Sequence, residues 1–248
     1  ADNEVQELIA KARTAQATYE AFSQEQVDAI VRDMAKYVYD NAEKLARMAV
    51  DETGIGNYED KVLKKKGKAR VIWNNLKGKK SRGIIGEDPE NNLVYVAKPM
   101  GVVAAVCPVT NPVATPMCNG MFALKTGNAV IFAPHPKAQK CTEFLTNEFM
   151  KIVKSHGGPD NLIQTIKKGS VEKTQELMRA ADVVVATGGG TVHAAVLVNA
   201  SVPVNDSPQW VVLGNQDVLG TYFVVPIMCV YAASVWMVSQ RARAWRVT

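Results

Sequence analysis

Apolar residues in the first third of the chain recur every three or four positions, which places them on one face of an α-helix. Ser23 and Gln26 form the Ser-x-x-Gln pattern that caps a helix at its first turn. The spacing therefore predicts an N-terminal helical segment over residues 1–82. Its predicted parts are a helix over Val5 to Phe22, a helix over residues 24–49 that breaks near Asp40 and Asn41, a turn over residues 51–56, and a helix over Tyr58 to Leu76.

Residues 83–98 have apolar runs on either side of a turn-rich centre, which predicts a protruding β-hairpin. Beyond it, short runs rich in Val and Ala alternate with segments of helical spacing, as in a parallel sheet whose strands are buried on both faces. The predicted fold class is α/β, with N-terminal helices followed by a doubly wound, Rossmann-like parallel sheet. The predicted strands cover residues 101–107, 128–134, 161–166 and 182–187, the helices between them cover 113–125, 137–154 and 171–180, the nucleotide-binding core spans 99–198, and the tail 199–248 is unassigned.

Composition and charge narrow the possible functions only slightly. The 248 residues are 47% hydrophobic and 21% charged with a net charge of +5, which suits a soluble protein that prefers anionic small molecules. The four cysteines show no metal-binding or disulfide spacing and no signal peptide opens the chain, so we expect no metal site and a reducing, cytoplasmic setting.

A basic run of ten lysines and arginines lies between Lys61 and Arg82. A solvated helix face is the favoured interpretation, with a site that steers polyphosphate substrates as the alternative. Nucleic acid is not an expected partner, because Trp73 is the one aromatic residue in the run rather than part of a stacking series.

Polar residues follow two of the predicted strands at the point where each strand ends. Thr110 and Asn111 come after the first core strand, and His135 comes after the second. Because the carboxyl ends of parallel strands meet at one sheet edge, we expect Asn111 and His135 to lie near each other in the ligand-binding crevice. On the residues alone, a structural role is favoured for His135, and Cys107 and Cys118 are interpreted as inert packing thiols.

A glycine loop, residues 188–190, follows the fourth core strand. A strand that ends in glycines before a helix exposes backbone N–H groups toward a phosphate. The loop lacks the Gly-x-Gly-x-x-Gly pattern, so its residues leave both a phosphate site and a simple tight turn open.

Five stretches between about residues 3 and 195 read AQATYEAFSQEQVDAIV, DETGIGNYEDKV, VYVAKPMGVVAAVCPVTNPVATPMCN, LKTGNAVIFAPHPKA and ADVVVATGGGTVHAA. Together they resemble the CoA-acylating branch of the aldehyde dehydrogenase family. The resemblance implies an oxidoreductase that interconverts a short aldehyde, with succinate semialdehyde favoured, and its acyl-CoA through a cysteine thioester. It also implies NAD or NADP as the cofactor, coenzyme A as co-substrate, and a homo-oligomer, a homodimer at the least, in which the hairpin forms part of the contact.

The resemblance assigns site residues position by position. Asn111 matches the asparagine whose amide holds the oxyanion, with Thr110 beside it at the cofactor. This chain also matches two further parts of the family's cofactor site, the strand end that borders the adenosine ribose and the loop beneath the cofactor pyrophosphate. The second match favours the phosphate interpretation of the glycines. The matched residues are Ala133, Pro134, His135 and Pro136 at the strand end, and Thr187, Gly188 and Gly189 in the loop.

The tail departs from the family pattern. Cys229 lies near the distance expected for the catalytic cysteine, but its surroundings, MCVYAAS, lack the family motif and its apolar neighbours favour a raised thiol pKa. The apolar stretch 222–238 is short for a membrane span and contains Pro226, so a membrane is not an expected partner. The alternative to an active enzyme is a catalytically silent nucleotide-binding or assembly fragment.

Overall fold

The computed structural model describes residues 3–188, 210–215 and 245–246. The helices are α1 (Glu4–Tyr19), α2 (Gln24–Asp40), α3 (Ala42–Thr53), α4 (Tyr58–Leu76), α5 (Ala114–Lys125), α6 (Gln139–Ser155) and α7 (Val171–Ala180), with a short 3₁₀ helix over Pro136–Ala138. The strands are β1 (Gly83–Asp88), β2 (Leu93–Ala97), β3 (Val102–Cys107), β4 (Ala129–Pro134), β5 (Ile163–Thr165), β6 (Val183–Gly188), β7 (Trp210–Asn215) and β8 (Trp245–Arg246).

The helix boundaries follow local chemistry. The predicted capping box is present at the start of α2, where Ser23 Oγ accepts from the Gln26 backbone N–H and Gln26 Oε1 accepts from the Ser23 N–H. The turn predicted over residues 51–56 is wrong in its first half, since α3 continues through Thr53. It ends at Gly54, whose φ of 66° is in the left-handed region that a glycine C-cap adopts without strain.

A five-stranded parallel sheet forms the centre of the molecule, in the order β5-β4-β3-β6-β7. The chain moves outward from β3 through β4 to β5, and then crosses back to pair β6 on the other side of β3. Helices α5 and α6 pack on β3, β4 and β5, while α1 and α7 pack against each other and also contact the sheet. The predicted doubly wound fold is confirmed, and the strand order reverses between β3 and β6.

The entry to β3 is tied to its two neighbours in the sheet. Asn128, just before β4, accepts with Oδ1 from the backbone N–H groups of Met100 at 2.6 Å and Gly101 at 2.9 Å. Asp182, just before β6, accepts with Oδ2 from Val102 N–H at 2.8 Å. Gly101 has a φ of 128°, and a Cβ atom there would lie 2.3 Å from Asp182 Oδ2, so this position requires glycine.

The predicted hairpin is confirmed as the antiparallel pair β1 and β2. Strand β8 adds to it on the β2 side, where it pairs with Leu93 and Val94. Ile84 on β1 is 53% exposed, while Ile85, Val94 and Val96 are half-buried. Among the described strands, β1 is therefore the outer strand of this small sheet, and it carries the exposed Ile84.

Helix α4 buries a face that contains two lysines. Lys61 is 8% exposed and Lys65 is 4% exposed, and they lie on the same stripe as Ala69, Ile72 and Leu76. The interpretation of this helix as a solvated basic face is wrong for these two residues. Because removing an ammonium group from water disfavours its charged form, burial lowers the pKa of Lys65 to about 8, and the charges of Lys61 and Lys64 add to the effect.

The described residues contain neither a helix long and apolar enough to cross a membrane nor a group of three His, Cys, Asp or Glu side chains that could hold a metal ion. The stretch 222–238 lies outside them.

Lys65→Met should stabilise the fold. The folded-state pKa of about 8 is below the ordinary value of 10.5, so the unfolded chain binds more protons between these values and wild-type stability rises with pH across that window. Met removes the buried charge, and we expect a gain of about 1–3 kcal/mol in unfolding free energy at pH 7.

Urea unfolding at pH 7, 8, 9 and 10 measures this difference, which should shrink as the pH rises above about 8. Lys11→Met is the control, because Lys11 makes an exposed pair with Glu7 and its removal should change stability by less than about 1 kcal/mol. A Lys65→Met variant that is less stable than wild type at pH 7 would contradict the prediction.

Candidate functional site

The carboxyl ends of β4, β3 and β6 meet at one edge of the sheet. Cys107 pairs with Pro134 across β3 and β4, and Val106 pairs with Ala186 across β3 and β6. The backbone N–H of His135 donates to the Cys107 carbonyl at 3.1 Å. The loop after β3, His135 after β4, and the end of β6 therefore share the edge where the strand order reverses, which is where open α/β sheets bind ligands.

Asn111 lies in the turn between β3 and α5 and is half-buried. Its side-chain Nδ2 donates to Thr110 Oγ1 at 3.3 Å. Its backbone carbonyl accepts at 3.2 Å from the N–H of Thr115, which lies in the first turn of α5. Thr110 is exposed. The Asn111 amide, a neutral hydrogen-bond donor, thus lies in the loop at the carboxyl end of β3, and its role toward an oxyanion stays a prediction.

The predicted ribose-side residues divide into two buried and two exposed positions. Ala133 and Pro134 are buried at the end of β4, whereas His135 and Pro136 are exposed. His135 Nδ1 accepts from the Lys137 N–H at 3.1 Å, which caps the short 3₁₀ helix. His135 therefore has a local structural bond and also presents its ring at the ligand-binding edge.

At the end of β6, Thr187 is half-buried and Gly188 is buried. Gly189 and the remaining glycine loop lie outside the described residues, as does Cys229. The choice between a phosphate loop and a simple turn stays a prediction, and so does the role of Cys229.

Two residues that the sequence patterns did not single out contact this edge. Glu52 at the end of α3 accepts from the backbone N–H groups of Lys140 and Cys141 at 2.7 Å each, and so caps α6. Lys61 Nζ donates to the Thr110 carbonyl at 3.2 Å. The available signal for Lys61 was its helical spacing with the apolar residues Ala69, Ile72 and Leu76. No sequence pattern marked Glu52 as the cap of a distant helix.

The described thiols are poor nucleophiles. Burial raises the pKa of Cys107 and Cys141, and it raises the pKa of Cys118 to about 12 despite the nearby charges of Lys68 and Lys64. The assignment of Cys107 and Cys118 as packing thiols fits these shifts.

The chain is 55% identical over 192 residues to succinate-semialdehyde dehydrogenase (acetylating) of Clostridium kluyveri, an alignment that covers 77% of the chain and 42% of that protein. An acetylating aldehyde dehydrogenase from Geobacillus thermoglucosidasius superposes with a TM-score of 0.78 at 37% identity, over 84% of this chain and 45% of that one. An engineered glycolyl-CoA reductase with bound NADP+ superposes with a TM-score of 0.72 at 29% identity, over 85% and 46%.

The chain thus spans less than half the length of these relatives. The resemblance to the CoA-acylating branch is confirmed by the names and identities of the relatives. The profile of the aldehyde dehydrogenase family matches residues 1–214. This chain belongs to the aldehyde dehydrogenase family.

Proposed function

We propose that this chain contributes the NAD(P)-binding part of a CoA-acylating aldehyde dehydrogenase that interconverts succinate semialdehyde and succinyl-CoA. The observation that supports the proposal most directly is the shared edge of β3, β4 and β6. The loop with Asn111, His135 after β4 and Gly188 at the end of β6 all lie on that side of the sheet, in a chain 55% identical to an acetylating succinate-semialdehyde dehydrogenase.

The residues present at the edge fit a dinucleotide. Gly188 ends a buried strand without a side chain, which allows a pyrophosphate to approach the backbone, and exposed His135 and Pro136 border the position of a ribose. When bound, NAD(P) would accept the hydride that leaves the aldehyde carbon. Both NAD and NADP remain candidates, and the NADP+ bound to the glycolyl-CoA reductase supports the latter.

Asn111 would stabilise negative charge during acyl transfer. An amide N–H is a neutral donor that need not change protonation, so it can hold an oxyanion whenever the aldehyde oxygen develops charge. Its backbone is fixed by the Thr115 hydrogen bond at the start of α5. Cys229 is proposed as the thioester nucleophile, with coenzyme A as the acyl acceptor.

Gly188→Val should weaken nucleotide binding by at least about tenfold, because a branched side chain there would keep the pyrophosphate from the backbone. Calorimetric titration of wild type and variant with NAD and with NADP measures the effect. Gly67→Val is the matched control, since a Cβ at Gly67 has no atom within 4 Å. Equal affinities of wild type and Gly188→Val would mean that the end of β6 is only a turn.

Acylating turnover by this chain should be slow. Met228, Val230 and Tyr231 surround Cys229 in the sequence, and apolar neighbours raise a thiol pKa and so lower the thiolate fraction at pH 7. Formation of NAD(P)H at 340 nm from succinate semialdehyde and CoA measures turnover. Wild type, Asn111→Ala and Cys229→Ser are compared, and fast wild-type turnover that Cys229→Ser abolishes would contradict the expectation of a weak nucleophile.

We further propose that the protein is a cytoplasmic homo-oligomer that associates through the hairpin. The described cysteines, Cys107, Cys118 and Cys141, are free thiols, which fits a reducing compartment. An outer strand with an exposed apolar residue, as β1 has at Ile84, is suited to pair with another subunit.

Sedimentation velocity at micromolar concentration should show at least a dimer, and Ile84→Asp should shift it toward monomer. A charge at Ile84 would be desolvated in the contact, whereas it is accommodated on the free subunit because Ile84 is 53% exposed there. Leu63→Asp is the control, as Leu63 is 69% exposed on α4, away from the hairpin. A wild-type monomer would refute the proposed association.

A further inference from the structure

The loop between β3 and α5 has few backbone donors with which to hold its shape. Pro108 and Pro112 have no N–H group, so they cannot donate to neighbouring elements. The loop nevertheless has to present Asn111 in one orientation if its amide is to meet an oxyanion at a defined position.

Lys61 supplies a contact from outside the loop. Its Nζ lies 3.2 Å from the Thr110 carbonyl oxygen. Its side chain also packs against the turn that follows α3, because a Cβ atom at Gly56 would lie 3.3 Å from Lys61 Cε. The residue is 8% exposed. A buried ammonium group is costly unless it is hydrogen-bonded, so the bond to Thr110 is the interaction that makes this position tolerable.

We propose that Lys61 is a positioning residue that orients Asn111 by holding the Thr110 carbonyl; this rests on the proposed function, in which Asn111 is the oxyanion donor.

The geometry of the peptide bond explains how a contact at Thr110 acts on its neighbour. The Thr110 carbonyl and the Asn111 N–H belong to one planar peptide unit, so a fixed carbonyl oxygen fixes that plane. The next plane contains the Asn111 carbonyl, which accepts from the Thr115 N–H at 3.2 Å. With both planes held, the Cα–Cβ direction of Asn111 is set, and the side-chain amide has only its own rotamers left to choose from.

Lys65 offers a matched comparison. It lies one helical turn beyond Lys61 on the same buried face of α4 and is 4% exposed. Within the described part of the chain, Lys65 makes no hydrogen bond to the loop over residues 108–113. Removing Lys65 therefore takes a buried charge from the same face without removing the contact to Thr110.

The test follows Asn111 directly by NMR in ¹⁵N-labelled protein. The Asn111 side-chain amide is assigned by its loss in Asn111→Ala, and the exchange rate of the Thr115 backbone amide is measured in parallel. In Lys61→Met the Asn111 side-chain signal should shift or broaden, and Thr115 exchange should become at least about tenfold faster, because a charge-assisted hydrogen bond has been lost. Lys61→Arg, which keeps a cationic donor, should restore both, and Lys65→Met should match wild type.

Two outcomes would overturn the inference: an unchanged Asn111 signal and Thr115 exchange rate in Lys61→Met, or equal changes in Lys65→Met, which would indicate general loosening of the buried face. If Lys61→Met does not fold, Lys61→Gln replaces it, because the shorter side chain does not reach the Thr110 oxygen. The readout needs neither nucleotide nor aldehyde. If the wild type does not bind NAD(P), the proposed function alone is refuted. If the wild type binds NAD(P) and Lys61→Met leaves the Asn111 signal unchanged, the role of Lys61 alone is refuted.

Discussion

The buried strand β3 is the constraint on which the rest of the structure depends. All six of its residues are buried, and it pairs on both sides, with β4 and with β6. Its start is fixed by Asn128 and Asp182, which lie just ahead of β4 and β6 and accept from backbone N–H groups at the entry to β3. Because the three strands are tied at their starts and run parallel in register, their ends meet at one edge. The loop after β3 therefore lies where the strand order reverses.

The fold also buries two positively charged side chains. Helix α4 buries Lys61 and Lys65 on one face, yet only Lys61 reaches a carbonyl in the loop after β3. Lys65 has a pKa lowered to about 8 by burial and neighbouring cations, so it destabilises the fold at neutral pH. Stability and site geometry thus depend on the same helix face through two residues with opposite effects.

The N-terminus of α6 is capped by a side chain from α3. A helix N-terminus is a ready anion site, and α6 follows the edge of β4 where His135 lies. Here the Glu52 carboxylate already occupies the Lys140 and Cys141 N–H groups. These two N–H groups are therefore already bonded to a carboxylate, which disfavours a second anion at the start of α6.

The sequence by itself determined the family and most of the elements up to residue 188. Local signals are short in range: the capping box of α2, the apolar run of β3 and the break at Asn41 each depend on residues a few positions apart, and the structure confirms them. The motifs around Asn111 and Gly188 indicated the aldehyde dehydrogenase family, since each motif is also a short run of neighbouring residues.

Tertiary structure alone decided which lysines are buried and what caps α6. Lys61 meets Thr110 across 49 positions and Glu52 meets Lys140 across 88, so no local pattern contains these contacts. A lysine-rich helix looks solvated when only its composition is considered, because the free energy of a buried charge depends on partners that arrive from elsewhere in the chain.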